Sequence, residues 1–293
     1  MYKFTGILLS IFISLLVIDS LYFSNSNQFP KEDDTIISSE ALDFNNSEAL
    51  QLTPLIHPKQ KTVQVKNKTK QTHHKKRDKK ATLAIIMDDI ATLKEAKEIK
   101  KLHLNIIPSI FPKTSNHPKT PKIAKMFKSV MIHLPMEAKN WKKPEKITLK
   151  ISDDLQTIKE KLKKDLKGFS NVKAINNHTG SKFTTYKKGF KVVIKELKKR
   201  GIFFIDSKTT TKSKYIEIQR ELGEKIFQRD IFLDNIQEIS YIKNQIKKAI
   251  RLAKKKGFAI AICHPHPNTF KALNQSKKLL KTIRLVNIDE ISN

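Results

Sequence analysis

From Thr82 onward the chain alternates short apolar runs with stretches whose apolar residues recur every three or four positions. The runs TLAIIM, LNIIPSIF, SVMIHLPM, VKAIN, GIFFIDS, KIFQRDIF and GFAIAIC have the length and β-branched content of buried strands. Between them, segments such as SDDLQTIKEKLKKDLKGF and IQEISYIKNQIKKAIRLAKKKG carry helical spacing, the first with Ser152 or Asp153 placed as an N-cap. Strands alternating with helices predict a parallel sheet with helical crossovers. Seven such runs in roughly 210 residues fit a closed or nearly closed parallel β/α barrel of about seven strands, with an open doubly wound sheet as the alternative α/β architecture.

The chain before Ala81 follows neither period. Phe4 to Phe23 is about 20 mostly apolar residues, the length that crosses a bilayer, with Asp19 its single acid. No small-residue cleavage site follows it, so residues 1–23 are expected to be an uncleaved signal or membrane anchor. Lys3 on one side and KEDDTIISSEALDF on the other orient the N-terminus to the cytoplasm. The remainder would then lie in the periplasm or outside the cell, held to the inner membrane by one helix. Residues 24–80, first acidic and then basic, cannot bury enough apolar surface to offset ordering entropy and predict a disordered charged tether. The folded unit is expected over residues 81–293.

Composition changes this picture little. A formal charge of +30 points towards polyanions. The basic residues, however, are nearly all lysine and lie on nearly every predicted helix as well as in one cluster, whereas bidentate recognition of phosphates and bases favours arginine. A solvated lysine surface with no specific nucleic-acid partner is the expectation. Cys263 is the only cysteine, which excludes an intramolecular disulfide.

Reading each apolar run to its C-terminal end collects the candidate chemistry. The ends carry Asp88 and Asp89, then His133, then Asn176, Asn177 and His178, then Asp206, Arg229 and Asp230, and finally His264 and His266. In β/α folds these ends converge on one face, where active sites are built. Each residue has an ordinary explanation alone: Asp88 or Asp89 as the cap of the next helix, His133 as a hydrogen-bonded structural residue. Independent caps would include more Ser and Thr, so the recurrence of carboxylate and imidazole favours a shared site. Imidazoles with a carboxylate suit zinc or a related divalent metal in a hydrolytic centre, and a second carboxylate beside them suits a general base. No G-x-S-x-G elbow, P-loop or G-x-G-x-x-G motif is present.

The ordered motifs IIMDDI, MIHLPMEA, NNHTGSKFT, FFIDSKTT, RDIFLDN and AIAICHPHP resemble those of the divergent polysaccharide deacetylases, relatives of the carbohydrate esterases with a NodB-type distorted β/α barrel. The resemblance runs from about Ala81 to the C-terminus. It implies metal-assisted removal of acetyl groups from an envelope or extracellular glycan, with zinc as the expected ion. Asp88 would be the base and Asp89 a metal ligand. The His-[Ser/Thr]-x-x-His motif of the main polysaccharide deacetylases is absent, and His133 and His178, from separate strands, are its substitutes. His264 resembles the proton donor to the leaving group, Asp206 the carboxylate that orients it, and Arg229 the arginine that pairs with the base. Asn176 and Asn177 would supply oxyanion donors, Asp230 and His266 would face the substrate, and His266 is interchangeable with His264. The missing motif also keeps open a non-catalytic carbohydrate-binding protein on the same fold.

Overall fold

The computed structural model describes residues 81–140 and 144–291. The anchor expected over 1–23 and the tether over 24–80 lie outside the described residues. Among the described residues no helix is long and apolar enough to cross a membrane.

Among the described residues nine strands and eight α-helices follow one another: β1 (Thr82–Ile90), α1 (Leu93–Lys101), β2 (Ile106–Ile110), α2 (Thr120–Ala124), β3 (Val130–Met136), α3 (Leu155–Asp165), β4 (Val172–Thr179), α4 (Lys187–Lys198), β5 (Phe203–Asp206), α5 (Tyr215–Leu222), β6 (Phe227–Gln228), β7 (Ile231–Phe232), α6 (Ile239–Lys256), β8 (Phe258–Cys263), α7 (Pro267–Gln275), α8 (Lys277–Leu280) and β9 (Arg284–Leu285). All strand pairs are parallel, in the order β6-β5-β4-β3-β2-β1-β8-β7, with β9 paired to the start of β1.

The two ends of that order explain the closure. KIFQRDIF reads as one strand in the sequence; in the structure it is two, because Arg229 and Asp230 cross the opening of the curled sheet. The Arg229 N–H donates to Asp206 O on β5 and the Asp230 N–H to Ile260 O on β8, both at 2.9 Å. Each half therefore serves a different edge, and an eight-stranded path with β9 beside it replaces the expected seven strands. The result is a curled, incompletely closed α/β barrel.

Side-chain alternation sorts each strand into an inner and an outer set. On β1, Ala84 and Ile86 join Ile107, Met131, Ala174, Ile205, Ile260 and Ile262 in the barrel interior. Leu83, Ile85 and Met87 face outward against helices, in one layer with Ala96, Ile246 and Ile250. A second outer layer packs Ile132, Leu134 and Ile175 on Ile158, Phe190 and Val193 of α3 and α4. Truncating one such isoleucine to alanine would cost about 2–5 kcal/mol.

Caps are supplied locally, which leaves the strand-end aspartates free. Thr92 and Glu95 form a reciprocal capping box at the start of α1, so neither Asp88 nor Asp89 caps it. The cap of α3 is Asp154, one residue beyond the expected Ser152 or Asp153.

Candidate metal centre and proton-transfer site

Inward alternation along β1 carries Ala84 and Ile86 on to Asp88, and the same parity would send Asp89 outward into the helix layer. Asp89 instead adopts φ 57°, and the pairing with β2 slips between Met87 and Ile90. Left-handed backbone is uncommon outside glycine but is tolerated by Asp. This bulge turns two adjacent carboxylates into one site. By ordinary alternation, Met131 on β3 leads to His133, and Ala174 on β4 leads to Asn176 and His178.

Three donor atoms meet there. Asp89 Oδ1 is 3.2 Å from His133 Nε2 and 3.1 Å from His178 Nδ1, and the two ring nitrogens are 3.2 Å apart. Bonds of about 2.0–2.1 Å at tetrahedral angles separate donors by about 3.3–3.4 Å, so this triangle is close to one face of a tetrahedral zinc site. Asp89 Oδ1 is buried and, despite the two rings beside it, has no aligned hydrogen bond. A buried carboxylate oxygen without a partner is costly, and a cation removes that cost. Burial alone would raise the Asp89 pKa, but His178 and then His133 hold it well below the ordinary carboxylate value. The residues present therefore fit a divalent metal.

Behind the triangle lies a hub at Asn176, fully buried on β4. Its Nδ2 donates to both oxygens of Asp88, at 2.8 and 2.9 Å, and to Ser207 Oγ at 3.2 Å. Its Oδ1 accepts from Ser109 Oγ at 2.7 Å and lies 3.0 Å from His133 Nδ1. A carboxamide oxygen is only an acceptor, so His133 carries its proton on Nδ1 and presents an Nε2 lone pair to the triangle, as a metal ligand must. Burial disfavours the His133 imidazolium, while Asp88 and Asp89 raise its pKa above the ordinary value.

The histidines of β8 form a second group. His264 Nδ1 is 3.0 Å from Asp234 Oδ1, and the His264 N–H donates to Asp234 Oδ2 at 2.7 Å. Thr269 Oγ1 donates to the same Oδ2 at 2.8 Å, so both Asp234 oxygens are engaged. Burial pushes the His264 pKa down, but Asp234 outweighs it, with Asp89 and Asp88 adding to the rise, and carries the imidazole to about 9. His266, at the N-cap of α7, lies with its ring 6.0 Å from that of His264, and burial lowers its pKa. Asp234, His264 and His266 also lie close enough to share an ion. The first group differs in keeping an unsatisfied carboxylate oxygen.

Several expectations change in this light. The carboxylate on His264 is that of Asp234, which strand-end reading missed, and not Asp206. The Asp206 oxygens accept from the Lys208 N–H at 2.7 Å and Ser213 Oγ at 2.6 Å, a turn that holds the end of β5. Asp230 does not join the site: its carboxylate takes the Ile260 N–H at 2.8 Å and the Lys256 ammonium at the barrel's open seam. Asn177, on the opposite face of β4 from Asn176, accepts from the Ser207 N–H at 2.9 Å and donates to Thr179 O at 2.5 Å. Both asparagines are thus engaged within the protein instead of offering oxyanion donors. Arg229 donates from Nε to Ser207 O at 2.8 Å and lies over the Phe232 ring, which stacks on His264 at 5.9 Å. Ser109 and Ser207 are further contributors that no sequence signal distinguishes from ordinary strand-end hydroxyls.

Comparison with known proteins places this geometry among relatives. A family model described as divergent polysaccharide deacetylase matches residues 85–292. The chain is 34% identical over 146 residues to the uncharacterized protein YibQ of Escherichia coli (strain K12), covering 50% of this chain and 46% of that one. It therefore spans about half the length of that relative. An uncharacterized protein of Haemophilus influenzae (strain ATCC 51907 / DSM 11121 / KW20 / Rd) is 31% identical over 212 residues, 71% of this chain and 76% of that one. The fold is shared with an uncharacterized protein from Agrobacterium tumefaciens C58, at TM-score 0.67 and 16% identity, over 72% of this chain and 89% of that one.

Proposed function

Because the chain belongs to the divergent polysaccharide deacetylase family, we propose that its barrel is a metal-dependent hydrolase removing acetyl groups from an envelope or extracellular polysaccharide. The observation that carries this reading is the Asp89–His133–His178 triangle, flanked by a second carboxylate, Asp88, that is not part of the triangle, and by the Asp234–His264 pair. Two imidazoles and one carboxylate favour zinc, which when bound would polarise the acetyl carbonyl and acidify water beside it.

The protein's own groups divide the proton work. Asp88, 1% exposed and held through both oxygens by Asn176, accepts the proton from the attacking water. His264 is the donor. Asp234 favours its imidazolium form, raising the pKa to about 9 in the metal-free protein, and by holding Nδ1 leaves Nε2 to protonate the departing amine or alkoxide. Cleavage of the acetyl C–N or C–O bond gives acetate and a free amine or hydroxyl on the sugar. Phe232 stacks on the imidazole, with Arg229 over the Phe232 ring. The apolar run from Phe4 to Phe23 and the charged stretch behind it support a domain tethered to the inner membrane and facing the envelope.

The test is acetate release from N-acetylated chitooligosaccharides and from peptidoglycan glycan strands by the metal-loaded protein. Asp88→Asn should lower turnover about 100-fold or more while leaving bound metal unchanged. A metal-loaded protein that binds these glycans and releases no acetate is a carbohydrate-binding member of the family, and the hydrolase reading fails.

A further inference from the structure

All strand pairs are parallel, so the helix-to-strand connections gather at one end of the barrel and the metal triangle lies at the other. The first end has a chemistry of its own. Its connections carry lysine and arginine almost without counter-charge: among the described residues their single acid is Glu224, which pairs with Lys198. On the metal side the lysines stand among carboxylates, with Glu137, Glu145, Asp153, Asp154, Asp234 and Glu238 on the connections.

Helix dipoles account for part of this, because cations are favoured in a last turn, where α6 places Lys254, Lys255 and Lys256. They do not account for Lys128, Lys167 and Lys225, which stand beyond the helix ends. Pairing within the protein leaves a remainder too. Lys199 and Arg200 meet Glu196, and Lys256 meets Asp230. Lys125, Lys128, Lys167, Lys254, Lys255 and Lys281 are exposed and have no carboxylate partner among the described residues. Unpaired like charges held at one end repel one another, a cost that an anionic partner removes.

Three features identify that partner. Lysine is a point charge without the fork that reads phosphates and bases bidentately, which suits a diffuse layer of headgroups better than a nucleic acid. The same end opens a cavity of ≈ 420 Å³ where Ile194, Leu197, Ile202 and Phe203 adjoin the exposed Lys173 and Lys225. Apolar surface beside ammonium groups suits the boundary between headgroups and acyl chains. Residues 1–80, with the apolar run Phe4 to Phe23, join the barrel here: Thr82 begins β1 beside the basic turn of α6, its N–H donating to Gly257 O at 3.0 Å.

We infer that this end of the barrel docks on the anionic phospholipid headgroups of the membrane that holds the tether. Asp89 lies near the far end of the nine-residue β1, so docking holds the metal triangle roughly 20–25 Å further from the headgroups and turns it towards the envelope. Each lysine brought to such a surface strengthens the contact about fivefold, and salt weakens it.

This rests on the membrane-tethered reading, and one experiment separates the two. The full chain is incorporated into nanodiscs of phosphatidylcholine alone or of phosphatidylcholine with phosphatidylglycerol, and the reactivity of each lysine towards an acetylating reagent is read by mass spectrometry. Lys125, Lys128, Lys167, Lys254, Lys255 and Lys281 should react about fivefold or more slowly in the anionic bilayer, with Lys113, Lys208 and Lys212 on the metal side unchanged, and high salt should erase the difference. Lys254→Gln, Lys255→Gln and Lys281→Gln combined should restore reactivity at Lys125, Lys128 and Lys167 without lowering the melting temperature. Equal reactivity in the two bilayers, or protection of the metal-side lysines instead, overturns the inference while the anchor reading stands. Protection by a DNA duplex in the zwitterionic nanodiscs, as strong as that by the anionic bilayer, would make the end a general polyanion surface and overturns it as well. A chain that enters neither nanodisc removes the anchor reading and this inference with it.

Discussion

Replacing Asp234 by Asn isolates what the buried carboxylate does for His264. In the metal-free protein the imidazole sits at about 9 against an ordinary 6.5, with 28% of its side chain exposed. A rise of that size corresponds to about 3 kcal/mol of extra interaction with the protonated ring. A histidine raised on folding contributes stability that is fully present below its unfolded value and disappears as pH climbs through its folded value. The variant should therefore be less stable by about 3 kcal/mol near pH 6, with the gap closing between pH 6.5 and 9. Asn also turns an N–H towards a place where Asp234 Oδ2 accepts from His264 N and Thr269 Oγ1, adding a cost that does not vary with pH. Only the pH-dependent part reports on the imidazolium. NMR titration of the His264 ring with chelator present, alongside denaturant melts from pH 5 to 10, measures both. An imidazole that still titrates near 9 in Asp234→Asn, or a stability gap that is flat across that range, would refute the assignment. In the metal-loaded wild-type protein the same titration should occur at lower pH, because a cation beside Asp89 offsets the carboxylates that help raise it.

Asp165, at the end of α3, is fully buried with neither oxygen hydrogen-bonded, and burial lifts its pKa from 3.8 to about 8 in spite of Lys161 and Lys164. The native state thus loses stability as pH rises from about 4 to 8, and Asp165→Asn should gain about 4 kcal/mol at pH 7 in denaturant melts, with no gain near pH 4; a gain independent of pH would count against it. Asn176→Ala removes the hub between Asp88, Ser109, Ser207 and His133, and should weaken zinc binding 10- to 100-fold while lowering the melting temperature; unchanged affinity by competition with a chelating dye would sever His133 orientation from metal binding. Asp89→Ala and His178→Ala should each abolish stoichiometric metal, read by elemental analysis, and retention of a full equivalent in either would remove that residue from the ligand set.

Much of the barrel was legible because the core of a β/α fold repeats itself along the chain. Ala84, Ile86 and Met131 announce their strands by period alone, and the polar residues that end those strands announce the face where Asp88, His133 and His178 meet. What sequence could not show was where alternation breaks. Nothing in MDDI reveals that Asp89 takes a left-handed backbone, and KIFQRDIF conceals a seam at Arg229 and Asp230. The carboxylate that meets His264 stands just past the second half of that run, at Asp234, where the resemblance implies Asp206. Asn176 and Asn177 share a residue type and a strand end, yet opposite faces of β4 give one to the site and the other to the sheet.

The measurement that bears most directly on the central claim is an anomalous difference map of zinc-loaded crystals collected on both sides of the zinc absorption edge. The account predicts a single strong peak within bonding distance of Asp89 Oδ1, His133 Nε2 and His178 Nδ1, with Asp234 still bonded to His264. A peak between Asp234, His264 and His266 instead, or none at either place, would contradict it.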